Sequence, residues 1–175
     1  MNKRFIFTNV LFFLTIYLLA SPATAVMKGL STEELTRTSE LTMTGEVESV
    51  ESQWSKDGTT IFTNVSVLID EVVRGKILQR RITVEYEGGE IGDIGLKVSD
   101  VVPMERGEKV LLFLKSGKSK KEGIVYNIIG KGQGKYSIGN DGIARKRGFT
   151  LVNGEEAADN NIPVDVLIEK IRRVK

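Results

Sequence analysis

The sequence predicts a mainly-β domain, a small barrel or alternatively a β-sandwich, with one helix at each end. Three observations carry this expectation. Short runs rich in Val, Ile and Thr recur from Leu41 to Arg145. Many of the 18 glycines fall at the turns between these runs. Helical spacing occurs only after Ser31 and again after Pro163.

The chain opens on a basic start, Met1 to Arg4, followed by an apolar run from Phe5 to Ala20 and a small-residue Ala23-Thr24-Ala25 motif. That layout predicts a secretory signal peptide over 1–25, cleaved near Ala25, with residues 26–175 as one domain exported to the periplasm or beyond. The apolar run is shorter than the roughly 20 residues a spanning helix needs, so no stable membrane span is expected after cleavage. Ser31-Thr32-Glu33-Glu34 reads as a capping box, with Leu30 and Leu35 placed to close a hydrophobic staple over a short helix. From Leu41 the period becomes two: Leu41, Met43, Gly45 and Val47 on one side, and Thr42, Thr44, Glu46 and Glu48 on the other.

Lys56-Asp57-Gly58 marks a turn, and Ile61 to Val73 follows as the strongest strand, with Thr63, Val65, Val67 and Ile69 on one face. Ile82 to Tyr86 is a third strand, ended by Gly88-Gly89. Val110 to Lys115 is apolar without alternation, which predicts a central strand. Ile124 to Ile129, Lys135 to Ile138 and Ile143 to Arg145 complete the set, the last two joined by Gly139-Asn140-Asp141-Gly142. Val164, Leu167, Ile168, Ile171 and Val174 then make the apolar stripe of a C-terminal amphipathic helix.

Composition removes whole classes of chemistry. The chain contains no cysteine and no histidine. Disulfides, Cys or His zinc sites and His-activated nucleophiles are therefore excluded. It holds 25 basic and 23 acidic residues, and loss of Lys3 and Arg4 with the signal leaves as many bases as acids. A neutral domain has no global field to gather nucleic acid, and no cofactor is expected.

The order Gly45-Glu46-Val47-Glu48-Ser49-Val50, Ile61-Phe62-Thr63-Asn64-Val65-Ser66-Val67, Glu71-Val72-Val73-Arg74-Gly75 and Arg106-Gly107-Glu108-Lys109-Val110-Leu111-Leu112-Phe113-Leu114 resembles a family of poorly characterised exported bacterial proteins. More distantly it is similar to netrin-like and tissue-inhibitor-of-metalloproteinase domains. The resemblance covers about Leu30 to Ile143 and implies a small OB-like β-barrel with terminal helices. Those inhibitors act through an N-terminal cysteine. A chain starting at Val26 without cysteine shares with them an expected fold and not metalloproteinase inhibition.

Gly130-Lys131-Gly132-Gln133-Gly134-Lys135 resembles a phosphate-cradling loop. Its spacing is wrong, Tyr136 stands where Ser or Thr is required, and strands flank it, so a bulged strand or hairpin bend is expected. Glu85, Glu87, Glu90 and Asp93 crowd one region, and alternation in the third strand sends Glu85 and Glu87 outward as a solvated face. The glycine-rich stretch Gly88 to Asp100 is long for a loop inside a small barrel. It makes Glu90 and Asp93 the first binding candidates. Lys118, Lys120 and Lys121 form a second candidate cluster, able to meet an anionic partner or to keep a hairpin tip soluble. Trp54, the only tryptophan, lies by a turn where an indole can grip a sugar or peptide, or close one end of a barrel.

With no nucleophile, base and orienter assembled, the sequence favours a non-catalytic binding module of the envelope or extracellular space. Its partner would be a protein, peptide or glycan. The alternative is a small carboxylate-dependent hydrolase.

Overall fold

The computed structural model describes residues 29–120, 123–146 and 159–175. The predicted signal peptide and Lys121 lie outside these residues. Helix α1 (Thr32–Thr38) is followed by strands β1 (Leu41–Trp54), β2 (Ile61–Arg74) and β3 (Arg81–Glu87). A small hairpin, β4 (Gly89–Ile91) with β5 (Ile94–Leu96), precedes β6 (Lys109–Lys118) and β7 (Ile124–Ile128). A 3₁₀ turn at Lys131–Gly134 leads into β8 (Lys135–Ile138), β9 (Ile143–Arg145), β10 (Ile162–Pro163) and helix α2 (Val164–Arg173). The fold is mainly β with two helices, as the alternation predicted.

Eight strands share one sheet in the order β1-β2-β3-β7-β6-β8-β9-β10, and β1 also pairs with β6. All these pairings are antiparallel except β3 with β7, which are parallel at Val84 and Tyr126. Strand β6 is central, with β1 along one edge and β8 then β7 along the other. Its apolar run is buried on both faces. Val110, Leu112 and Leu114 join Met43, Val65, Val67 and Val84 in one core. Leu111 and Phe113 join Leu35, Tyr136, Leu167 and Ile171 in a second core beneath the helices. The five residues Val110 to Leu114 each have 0% exposure.

Each helix end follows from its residues. Ser31 Oγ accepts the Glu34 N–H at 3.1 Å, and Glu34 Oε2 accepts the Ser31 N–H at 2.8 Å, closing the expected capping box. In α2 the buried residues are Leu167, Ile168 and Ile171. Lys170 bridges Glu33 at 3.2 Å and Asp159 at 2.7 Å, joining the two helices.

The string at Gly130 is neither a phosphate loop nor the expected bend, because Lys131–Gly134 winds into one 3₁₀ turn. Gly130 takes φ +62°, and a Cβ on Gly134 would lie 2.5 Å from the Ile129 carbonyl oxygen. The turn buries Gln133, whose Oε1 accepts the Leu30 N–H at 2.6 Å ahead of α1.

Beside it the Tyr136 ring is buried, with the Lys146 ammonium 4.6 Å from its centre. Lys146 Nζ also donates to the Gln133 carbonyl. Burial pushes Lys146 down to about 8, against the opposing pull of Asp159. Burial pushes the Tyr136 hydroxyl above the ordinary tyrosine range.

Two outcomes follow for stability. Leu112→Ala opens a cavity in the strand-lined core and lowers unfolding free energy by about 2–5 kcal/mol in urea titration, with the denaturant slope unchanged. Between about pH 8 and about pH 10 the unfolded chain holds a proton on Lys146 that the native state has released, so stability rises with pH there. The slope is at most about 1.4 kcal/mol per pH unit. Above about pH 10 the unfolded chain loses its Tyr136 proton while the native state keeps it, and stability falls. Thermal melts of Lys146→Met lack the rise.

Candidate functional site

The longest hairpin outruns β6, while β3 follows β2 along it as far as Phe62. Strand β1 pairs with β6 only over Leu41 to Glu46, whereas its pairing with β2 continues to Trp54 and Ile61. Beyond Val47 the two strands form an arm, and a register shift between Val47 and Ser49 bends it there. The tip is held by Asp57, which accepts from Ser55 Oγ at 2.5 Å and from Thr59 N and Oγ1 at 3.2 and 2.8 Å. Those donors hold the Asp57 carboxyl down at about 2.

The stretch Gly88 to Asp100, expected as an open loop, contains the β4–β5 hairpin, and this hairpin packs on the arm. Gly88 and Gly89 take φ +102° and +133° to turn the chain out of β3. A Cβ on Gly89 would lie 2.3 Å from both Ser52 Oγ and Thr63 Oγ1, so only glycine permits the approach. Thr63 Oγ1 donates to the Gly88 carbonyl at 2.6 Å, and the Glu90 N–H donates to Ser52 Oγ at 3.3 Å.

Between this hairpin and the following chain lies a cleft of about 380 Å³, lined by Tyr86, Glu87, Glu90, Leu96, Val98 and Pro103 among others. The Tyr86 hydroxyl accepts the Met104 N–H at 3.4 Å, and burial raises its pKa. A buried lysine fixes the far wall. Lys135 Nζ donates to the Pro103 carbonyl at 2.6 Å and to Glu108 Oε2 at 3.0 Å, and Ser137 Oγ donates to Glu108 Oε1 at 2.5 Å. A larger groove of about 720 Å³ runs along the helices, where Lys170 pairs with Glu33 and Arg173 with Glu169.

The sequence-predicted residues separate into two groups. Glu90 lines the cleft, and Asp93 sits exposed in the turn of the β4–β5 hairpin. Trp54 ends β1 with 40% exposure. The β pleat sets it on the same face as Ser52, which bonds Glu90. Trp54 therefore stands two residues along the strand from the side chain that holds Glu90. Lys118 closes β6 opposite Ile124, and Lys120 follows in the turn of the β6–β7 hairpin.

Glu85 corrects the expectation of a solvated acidic face. It is 4% exposed, because the β6–β7 turn folds over it. Its carboxylate accepts from Ser119 Oγ at 2.7 Å and from the Lys120 N–H at 3.0 Å. Alternation does send Glu85 out of the strand-lined core, but it carries no information about the turn that covers it. Glu87 accepts from Thr60 Oγ1 at 3.3 Å. Among the described residues no three acidic side chains converge as a metal would need. No helix among them is long and apolar enough to cross a membrane.

Removing the Glu85 carboxylate strands the donors of the turn. Glu85→Ala is expected to speed amide hydrogen exchange at Lys120 and cost about 1–3 kcal/mol in stability. Unchanged exchange there would show that the turn is held by other contacts. No protein-family model, characterised protein or solved structure matches this chain.

Proposed function

We propose that this chain is an exported, non-catalytic binding module of the cell envelope or extracellular space, whose ligand seats at the arm end of an OB-like barrel. The barrel reading is supported by the pairings β1–β2, β2–β3, β3–β7, β7–β6 and β6–β1, which return to their starting strand. It agrees with the resemblance to exported bacterial and netrin-like domains. Export rests on the basic, apolar and small-residue layout before Val26.

The observation that carries the binding reading is the cleft itself. It is a concavity between braced walls, with half-exposed Trp54 two residues beyond the Ser52 that bonds Glu90. Glu85 serves the β6–β7 turn, Glu87 meets Thr60, and the Ser52 and Thr63 hydroxyls bond each other at 3.0 Å. A protein, peptide or glycan is the class of ligand that fits such a surface.

The competing reading, a small carboxylate-dependent hydrolase, is favoured by Glu87 and Glu90 lining the same cleft. Affinity capture from envelope extract with the wild-type chain and with Trp54→Ala decides between them. A partner retained by the wild type and weakened about tenfold by the variant supports binding. Release of peptide or sugar fragments by the wild type, abolished in Glu87→Gln and Glu90→Gln, overturns it. N-terminal sequencing of the secreted protein should begin at Val26.

A further inference from the structure

The arm leaves a strand edge open. Ser55 N–H donates to the Thr60 carbonyl, and Gly88 N–H donates to the Ile61 carbonyl. Antiparallel alternation from these two bonds turns the backbone groups of Ser49, Glu51 and Gln53 toward β2 and those of Val50, Ser52 and Trp54 toward the other edge. The chain leading into β6 covers that edge only as far as Val47. There Val47 N–H donates to the Glu108 carbonyl at 3.0 Å, and Gly107 N–H donates to the Val47 carbonyl at 2.8 Å. Past the bulge, no described strand pairs with Val50, Ser52 or Trp54 on the edge away from β2.

Apart from the bulge at its start, the usual protections of such an edge are missing. From Ser49 to Trp54 there is no lysine and no proline, and neither β4 nor any other described strand forms a ladder along it. What flanks the edge is acidic on one face and apolar on the other. Glu51 projects from the face of Ser49 and Gln53, exposed and without an ion pair among the described residues. Val50 and Trp54, 36% and 40% exposed, share the opposite face with Ser52, whose hydroxyl holds Glu90 close.

We infer that the Val50–Trp54 edge of β1 receives an extended peptide by strand addition, and that the peptide alternates cationic and apolar residues. Main-chain bonds to Val50, Ser52 and Trp54 hold it in register. Its cations lie on the Glu51 face, and its apolar residues lie against Val50 and the indole of Trp54. This rests on the binding-module reading and deepens it, naming the surface and the class of partner.

The test uses the full chain as processed by the expressing cell. The probe is an acetylated, amidated octapeptide alternating lysine and valine. A glutamate-valine counterpart and a lysine-valine peptide N-methylated at alternate amides serve as comparisons. Binding is read from Trp54 fluorescence and from protection of the Val50, Ser52 and Trp54 amides against exchange. The lysine-valine peptide should protect those three amides. Its affinity should fall about tenfold or more in Glu51→Lys, an exposed substitution that leaves both ladders intact, and about as much on N-methylation. Val50→Pro should abolish protection, and the Glu51→Lys arm stands even if that variant fails to fold. Equal binding of the glutamate-valine peptide, protection confined to the cleft around Tyr86 and Val98, or no binding at all overturns the inference and leaves the binding-module reading standing. A concentration-dependent dimer protecting the same amides without peptide assigns the edge to a second copy and also overturns it. Cleavage of the probe overturns both readings.

Discussion

Every element of this protein is arranged around a strand that is apolar on both faces. Val110 to Leu114 cannot lie on a sheet with one side in water, since five consecutive large side chains leave no solvent face. One face is covered by β1, β2 and β3, whose inward residues Met43, Val65, Val67 and Val84 meet Val110, Leu112 and Leu114. The other requires the two terminal helices, because Leu111 and Phe113 find their neighbours in Leu35, Leu167 and Ile171. The helices therefore belong to the fold as much as the strands do. Two cores thus share one strand, in a chain that has no cysteine to form a disulfide.

The same constraint explains why the arm end is where a partner can be met. Strand β6 can pair β1 only over its own apolar length, and the chain before it leaves at Gly107. Beyond that point β2 still runs along β3 and keeps Val65 in the core, but the end of β1 has lost β6. It is braced instead by smaller devices: the Asp57 turn, the glycine contact of Gly89 on Ser52 and Thr63, and the buried Lys135 that fixes Pro103. These are polar and local. They hold a surface in shape without closing it, which is what separates a braced binding face from a core.

Particular residues mark how far the chain could be read in advance. The capping box at Ser31, the turn at Lys56 to Gly58 and strand β8 stand where the pattern put them, because each depends on neighbours within a few positions. The β4–β5 hairpin was not legible. Its three-residue strands, Gly89–Ile91 and Ile94–Leu96, are too short to show a period and read as a glycine-rich loop. The lysine tip looked like a candidate in its own right, whereas part of its chemistry is internal, since the Lys120 N–H is spent on Glu85.

By itself, then, the sequence determined the mainly-β class, the two helices, the order of the longer strands, the central place of β6 and the exclusion of thiol and imidazole chemistry. All of these follow from residue type and periodicity along the chain. The tertiary structure alone decided that Glu85 is buried, that Glu90 bonds Ser52 near Trp54, and that β1 continues past the start of β6 with an open edge. The reason is physical. Alternation fixes which side of a strand a residue faces, but what covers that side, and where a neighbouring strand stops, are set by segments tens of residues away.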